Sequence, residues 1–374
     1  MGITVSPVSG KADLKEFIYL PEKIHVNHPN WVHPIYLDDF GFFNPDKNKA
    51  FSYCDTVLIL ARKNGKVAGR AMGIINHKYN EIWHEKHARF SFIETWNDPE
   101  TFDALITFLS DWAKGRKMEK LIGPLGFSDK DPQGFLFEGF NEPIVIASNC
   151  NFPYMIDLAE KNGFYKKVDL VVYRIPIPEV DPPFYKAVQE RFNRNHNGFR
   201  IIEFTSRQKV KPYIRSVFEL VNLTFTQIYG FQPFTPKEMD DFANRYLFLI
   251  NPRFIKLITG PGNRLVAFVI GMSDISRGIQ KARGRLFPFG FINLLLAGKR
   301  SDQLNLLLGA VHPQYQGRGL DVMMGIRMFE SARQTGKTTM DSHLELEYNT
   351  KVRAEMERIG GKVYKRYRIF QKDL

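Results

Sequence analysis

The chain has 374 residues, 44% apolar and 25% charged, a balance that allows sizeable buried cores and excludes a disordered or fibrous protein. Its net charge of +12 suits a polyanionic partner, but the lysines and arginines are scattered. That disfavours nucleic acid and leaves a phosphate-rich cofactor or an anionic membrane surface. The two cysteines, Cys54 and Cys150, exclude a disulfide framework and suit a reducing cytoplasm.

Residues 3–8 (ITVSPV) predict an opening strand, preceded by neither the basic start nor the apolar core of a signal peptide. Residues 64–75 (NGKVAGRAMGII) predict a hairpin, with Asn-Gly as the turn before an alternating strand. Strands are further expected at 56–62, 67–75, 88–94 and 168–175, with an amphipathic helix at 99–116. The run HKYNEIWHEKH (77–87) clusters three histidines and two glutamates, but His84 and His87 are three residues apart. It therefore lacks the H-E-x-x-H spacing and is read as a polar loop rather than a zinc site. The glycine-rich stretch 123–143 is either a loop covering the sheet edge or part of an acceptor pocket.

After a proline-rich link and a short amphipathic helix (179–197), much of this pattern returns. Gly73 and Gly271, Asn151 and Asn349, and Gly163 and Gly361 all stand 198 residues apart, as do the opening strands at 3–8 and 201–206. Such a repeat predicts two similar domains, 1–178 and 198–374. In the second, strands are expected at 254–259, 264–272, 304–311, 339–347 and 363–371, with a helix at 320–335. Each domain is read as α/β (α+β), a mixed central sheet flanked by helices. The apolar run 284–300, bracketed by Arg and Lys, is read as core or interdomain packing. An alternative makes it an acyl-chain lining or a peripheral membrane contact. It is too short for a transmembrane segment.

The stretch GAVHPQYQGRGLDVMMG (309–325) carries the strongest chemical signal. A buried-type strand meets glycines and then a helical period. At such a junction the first amides of a helix lack partners and converge, and the helix dipole favours an anion. Gly317 and Gly319 leave room for a phosphate and Arg318 can pair with one. An ordinary turn that needs glycine for positive φ explains the same residues. Two other phosphate motifs fail: there is no G-x-G-x-x-G at a strand–helix start, and TGKTT (335–339) has Ser331 where a Walker A loop needs glycine.

Residues 311–320 (VHPQYQGRGL) resemble the acyl-CoA-binding motif [Q/R]-x-x-G-x-[G/A] of the GNAT (Gcn5-related) N-acyltransferases. The matching positions are Gln316, Gly317, Arg318, Gly319 and Leu320, while the family's last small residue falls on Asp321. The strands and helices around the motif follow GNAT order. The resemblance implies two tandem GNAT-like domains, the first degenerate, in a bacterial-type, cytoplasmic N-acyltransferase. Acetyl-CoA or acyl-CoA would be the co-substrate and an amine the acceptor. The resemblance further makes Val311 a backbone contact for the pantetheine and for the oxyanion, and Asn349 a contact to the cofactor arm.

A thioester-to-amine transfer needs a base, an oxyanion donor and an acid for the leaving thiolate. The family's tyrosine acid falls on Met356, so Tyr348 and Tyr364 become candidates. Glu345 and Glu347 are the candidate bases, expected to alternate with His343 on one face of the strand. No metal is expected. The rival reading is a non-catalytic binding protein of the same fold, its site decayed.

Overall fold

The computed structural model describes residues 2–194 and 198–374, so the last three residues of the expected link lie outside the described residues. In chain order the elements begin with β1 (Ile3–Pro7), α1 (Gly10–Ile24), α2 (Tyr36–Phe42), β2 (Cys54–Lys63), β3 (Lys66–Asn76), α3 (His77–Trp83) and β4 (His87–Thr95). Next come α4 (Pro99–Lys114), β5 (Lys120–Gly123), β6 (Phe135–Glu138), α5 (Tyr154–Lys161), β7 (Tyr165–Pro176) and α6 (Pro183–Arg194). The chain continues through β8 (Arg200–Glu203), α7 (Arg207–Val210), α8 (Ile214–Thr224), α9 (Pro236–Tyr246), β9 (Ile255–Thr259), β10 (Leu265–Ser273), α10 (Ser276–Ala282) and α11 (Gly290–Arg300). It closes with β11 (Gln303–Val311), α12 (Leu320–Gln334), β12 (Thr339–Asp341), β13 (Glu345–Leu346), α13 (Thr350–Arg358) and β14 (Lys362–Asp373).

These elements pack as two compact units. Unit 1 takes Met1–Val171, Ser276–Leu294 and Lys365–Leu374; unit 2 takes Val172–Ile275 and Leu295–Tyr364. A single cut in the 179–197 link therefore follows the order of the chain but not its packing.

In unit 1 the strands run β1-β2-β3-β4-β5-β14. All neighbours are antiparallel except β4 and β5, which pair in parallel from His87↔Lys120 to Arg89↔Ile122. Helix α4 starts at Pro99, where a missing N–H costs nothing, and its buried Phe102, Leu105, Ile106, Leu109 and Ala113 recur at helical spacing. They pack with Ile59, Ala71 and Phe90 of the sheet in one core. Each fully buried leucine there contributes about 2 kcal/mol, so Leu105→Ala would cost roughly 2–5 kcal/mol. Within the glycine-rich stretch 123–143, β6 pairs antiparallel with β14, from Arg366↔Glu138 to Arg368↔Phe135.

The segment Ser276–Leu294 joins unit 1 through backbone contacts. Gln280 Nε2 donates to the carbonyls of Pro29 and Trp31 at 2.9 and 2.8 Å, and Tyr36 N–H donates to Gly284 O at 3.1 Å. Gly284 has φ +70°, and a Cβ there would stand 2.2 Å from Pro34 O, so only glycine lets the two segments approach. The reading of 284–300 as core fails at the next residues, because Phe287 and Phe289 are 74% and 71% exposed.

In unit 2 the strands run β7-β12-β11-β10-β9-β8, with β7 contributing residues 172–176. Only β11 and β12 are parallel, at Gln303↔Thr339, Leu304↔Met340 and Asn305↔Asp341. Both units thus share one pattern: an antiparallel series, one parallel pair and a final antiparallel strand. That final strand comes from the other end of the sequence, residues 365–373 in unit 1 and residues 172–176 in unit 2.

Three local expectations are corrected. Of the stretch 77–87, residues 77–83 are helical rather than loop, with Asn76 capping α3 by accepting from Tyr79 N–H at 3.0 Å, and His87 already begins β4. The opening strand of unit 2 stops at Glu203, three residues short of Ser206. The strand expected at 339–347 is broken between Asp341 and Glu345. His343 takes φ +61° and its N–H donates to Asp341 Oδ1 at 2.7 Å, a side-chain turn that competes with the ladder.

Candidate functional site

The site of unit 2 begins where two parallel strands part. β12 ends at Asp341, opposite Asn305, while β11 runs on for six residues to Val311. Along that extension β11 keeps its antiparallel partner β10, with a bulge at Leu307. His312 N–H donates to Val266 O at 2.8 Å, so strand alternation turns the Val311 N–H and C=O toward the edge that β12 has left. The Val311 carbonyl accepts there from Gln316 Nε2 at 3.3 Å. Residues 306–311 are all at least partly exposed, whereas Leu304 and Asn305 are buried.

Beyond Val311 the chain makes one helical turn, Pro313–Tyr315, and then the glycine loop. Gly317 and Gly319 take φ +72° and +79°, which an L residue adopts only under strain. Gly319 is also the residue before α12, and a Cβ on it would stand 2.6 Å from Val188 Cγ1 of α6. Among the described residues, the amides of residues 317–322 have no backbone acceptor; the first one satisfied is Met323 N–H, which donates to Gly319 O at 3.0 Å. The Arg318 guanidinium lies over the Tyr315 ring at 5.3 Å, and Tyr315 meets Phe199 edge-on. Helix α12 is held against the strands by Lys256 Nζ donating to Ser331 Oγ at 2.7 Å and Arg327 Nε to Glu203 Oε2 at 2.9 Å. The result is a run of amides without backbone acceptors, among the described residues, at the end of an open strand edge, donors of the kind that a diphosphate accepts from.

The sequence-nominated residues fall in two segments, with Tyr364 apart from both in β14. Val311, Gln316, Gly317, Arg318, Gly319 and Leu320 form the loop just described. Glu345, Glu347, Tyr348 and Asn349 follow the strand break and lead into α13. Because His343 is left-handed, Glu345 and Glu347 do not alternate with it along one strand face. Burial drives the Glu345 carboxyl up to about 8. Tyr348 is 56% exposed, and burial and then the Glu347 charge push its hydroxyl upward. Asn349 begins α13, where its Oδ1 accepts from Val352 N–H at 3.5 Å. Tyr364 donates to buried Asp341 while Arg174 covers its ring at 4.1 Å.

Several residues that shape this region carry no motif. Arg353 donates to Glu347 O and Tyr173 Oη, both at 2.9 Å, and Tyr173 donates to Glu357 at 2.7 Å, so α13 is fastened to the turn before it. Tyr185 of α6 donates to Glu355 at 3.4 Å. Burial, with the Asp321 charge next, raises the Glu355 carboxyl above its usual range. Asp341 was missed because it reads as one more polar residue near a strand end. The histidines of 77–87 do not converge: His77 pairs with Asp55 at 3.2 Å, His84 ends α3 and is exposed, and His87 is buried beside Glu85.

The chain matches no family model. It is 26% identical over 372 residues to Protein YghO of Escherichia coli (strain K12), covering 97% of this chain and 94% of that protein. It is 26% identical over 387 residues to the bacterial ceramide synthase of Caulobacter vibrioides (strain NA1000 / CB15N), covering 100% and 98%. The tandem GNAT protein from the clavulanic acid biosynthesis pathway superposes with a TM-score of 0.56 at 11% identity, over 100% of this chain and 98% of that one. The chain has the tandem GNAT fold. Within that fold, β11 and β12 of unit 2 are the strands that part, and the loop after β11 is the stretch that resembles the GNAT glycine motif.

Proposed function

We propose that unit 2 transfers an acyl group from acyl-CoA to an amine borne by an amphipathic acceptor. One observation carries this reading: the open edge of β11 runs directly into a loop of unsatisfied amides. The pantetheine arm lies along that edge, and the pyrophosphate sits on the amides of residues 317–322 with Arg318 beside it. The acceptor nitrogen attacks the thioester carbonyl, and its oxyanion takes the Val311 N–H. Glu345 receives the amine proton, which a carboxylate poised near 8 does well. Collapse expels the CoA thiolate, which takes a proton from Tyr348, while Tyr364 and Asp341 hold the strand break in place.

The acceptor class is supported by the ceramide synthase relative, since a ceramide is the amide of a long-chain amine. A surface feature of this chain agrees. Residues 276–301 hold six basic and no acidic side chains, and expose Phe287, Phe289, Phe291 and Ile292. Exposed rings framed by arginines bind an anionic lipid surface without spanning it. No helix among the described residues is long and apolar enough to cross a membrane.

Calorimetry with acetyl-CoA and a long-chain acyl-CoA tests the donor site, first on the wild type and then on Gly319→Glu. The expected result is binding that the variant abolishes. Binding of neither ligand overturns the reading, and equal binding by both proteins moves the site elsewhere. Donor binding without turnover on any long-chain amine would favour the rival, a binding protein of the same fold, to which Asp321 and Met356 at motif positions lend support.

A further inference from the structure

Unit 1 carries a second constellation, far from any motif. Helix α1 ends at His25, whose N–H donates to Pro21 O at 2.8 Å, and two further turns bring His28 and Trp31 back over it. The His25 ring lies between Trp31 and Phe152, with centroids 5.0 Å away on each side and planes within 8°. His28 stacks on the same Phe152 at 4.5 Å. The two Nδ1 atoms stand 2.9 Å apart, and Cys150 Sγ is 3.8 Å from His28 Nδ1. One ligand atom from each of the three residues falls within 4.8 Å of the other two. On its far side, His25 Nε2 meets the Glu94 carboxylate at 3.1 Å.

The protons decide what this arrangement can do. A carboxylate only accepts, so Glu94 keeps the His25 proton on Nε2 and leaves a lone pair on Nδ1. That lone pair points at His28 Nδ1 and toward a thiol, inside a shell of aromatic rings. A carboxylate behind a histidine that turns its bare nitrogen inward is how proteins orient imidazole ligands. Two imidazoles and a cysteine match the donor set preferred by zinc, at spacings compatible with bonds of about 2.0–2.3 Å.

We infer that His25, His28 and Cys150 form a site for a zinc-type divalent cation, with Glu94 orienting His25. Binding converts the Cys150 thiol to a thiolate, releases its proton to solvent and involves no redox step. Three protein ligands leave one position for water or an added ligand. The site lies wholly in unit 1, so it gives that unit a chemistry independent of the acyl-CoA reading.

Chelator-treated full-length protein would be titrated with Zn²⁺ by calorimetry and with Co²⁺ by absorption. One Zn²⁺ per chain is expected, together with a thiolate-to-cobalt charge-transfer band in the near ultraviolet. Cys150→Ser removes that band. Glu94→Gln weakens zinc roughly 10–100-fold, as expected for an orienting partner, and exposed His84→Ala changes nothing. His28→Ala abolishes the stoichiometric site; should that variant not fold, Cys150→Ser decides alone, its fold checked by circular dichroism. The inference falls if the wild type binds no zinc, if Cys150→Ser binds as tightly as wild type, or if the cobalt adduct lacks the sulfur band.

Discussion

The two units build the same strand-to-helix junction from opposite chemistry. In unit 1, β4 ends at Thr95 and α4 starts at Pro99, with no glycine between them. The residue ahead of that helix is Asp98, whose carboxylate accepts from Thr101 Oγ1 at 2.8 Å and Lys63 Nζ at 2.9 Å. In unit 2 the matching space lies before Leu320, lined by two left-handed glycines and by amides with no backbone acceptor among the described residues. A helix N-terminus attracts an anion in both cases. Unit 1 supplies the anion from its own side chains, while unit 2 leaves the place open. The repeated fold therefore leaves this junction open in unit 2 and places a carboxylate at it in unit 1, which is the contrast on which the proposed donor site rests.

The sharpest way to break this comparison is to fill the open junction as unit 1 does. Gly319→Glu should weaken acyl-CoA at least ~100-fold by calorimetry, since it sets a carboxylate among the phosphate donors and strains a left-handed residue. Because a side chain there also meets Val188, Arg318→Glu serves as a second variant, expected to cost roughly 10-fold with an unchanged melting temperature. Asp98→Asn in unit 1 should leave acyl-CoA affinity untouched. An equal loss there would mean that the donor site is not where the glycines are.

Much of this contrast was legible in the sequence, because glycines at a strand–helix junction have few structural explanations. The hairpin at 64–75 and the helices at 99–114 and 320–334 were legible too, since periodicity and turn chemistry act locally. What escaped was non-local. Nothing in residues 165–176 or 362–373 says that each closing strand serves the unit built mainly by the other half. The apolar run 284–300 looks like core because periodicity cannot tell a buried helix face from an exposed one. His28 and Cys150 lie 122 residues apart, in segments that carry no metal motif. The break at His343 came from an aspartate turning back on its own backbone, a competition that strand propensity does not weigh.

A second test concerns the carboxyl of unit 2 that burial lifts to about 8. If Glu345 is the base, kcat/KM for the wild type climbs as pH rises and levels off above 8, where the carboxylate is formed. Glu345→Gln should lose that limb and about 100-fold in kcat. Stability moves in the opposite sense. A folded-state value above the ordinary 4.5 means that the native state holds the proton longer, so stability falls as pH rises from about 4.5 to about 8. The glutamine variant escapes that loss, and thermal melts at pH 5 and pH 9 would reveal it. A variant that melts in parallel with wild type at both values would return Glu345 to an ordinary surface role.

The third test asks what unit 1 does in place of donor binding. Replacing Phe287 and Phe289 by serine removes two rings already in water, so folding should be spared while partition onto anionic vesicles falls roughly 10–30-fold. Sedimentation with vesicles of anionic and of neutral phospholipid gives the readout. Turnover of a short, water-soluble amine should not change, because the substitutions leave the unit 2 cleft intact. If vesicle binding persists, the basic residues of 276–301 act alone or the surface lies elsewhere.

The smallest effect belongs to Asp321, the one motif residue of unit 2 with the wrong charge. It lies exposed in the first turn of α12, where a carboxylate favours the helix dipole, and its charge reaches Glu355 and Tyr185. The same position puts it near the place proposed for the pyrophosphate, so helix stability and anion affinity oppose each other at this residue. Asp321→Asn should tighten acyl-CoA by roughly 3–5-fold and cost a few tenths of a kcal/mol in helix stability. Both changes are electrostatic and solvent-exposed, so raising the salt to 0.5 M should shrink them together. An affinity gain that survives high salt would instead mean that the side chain obstructs the phosphate directly. Unit 2 would then be partly self-blocked by its own carboxylate.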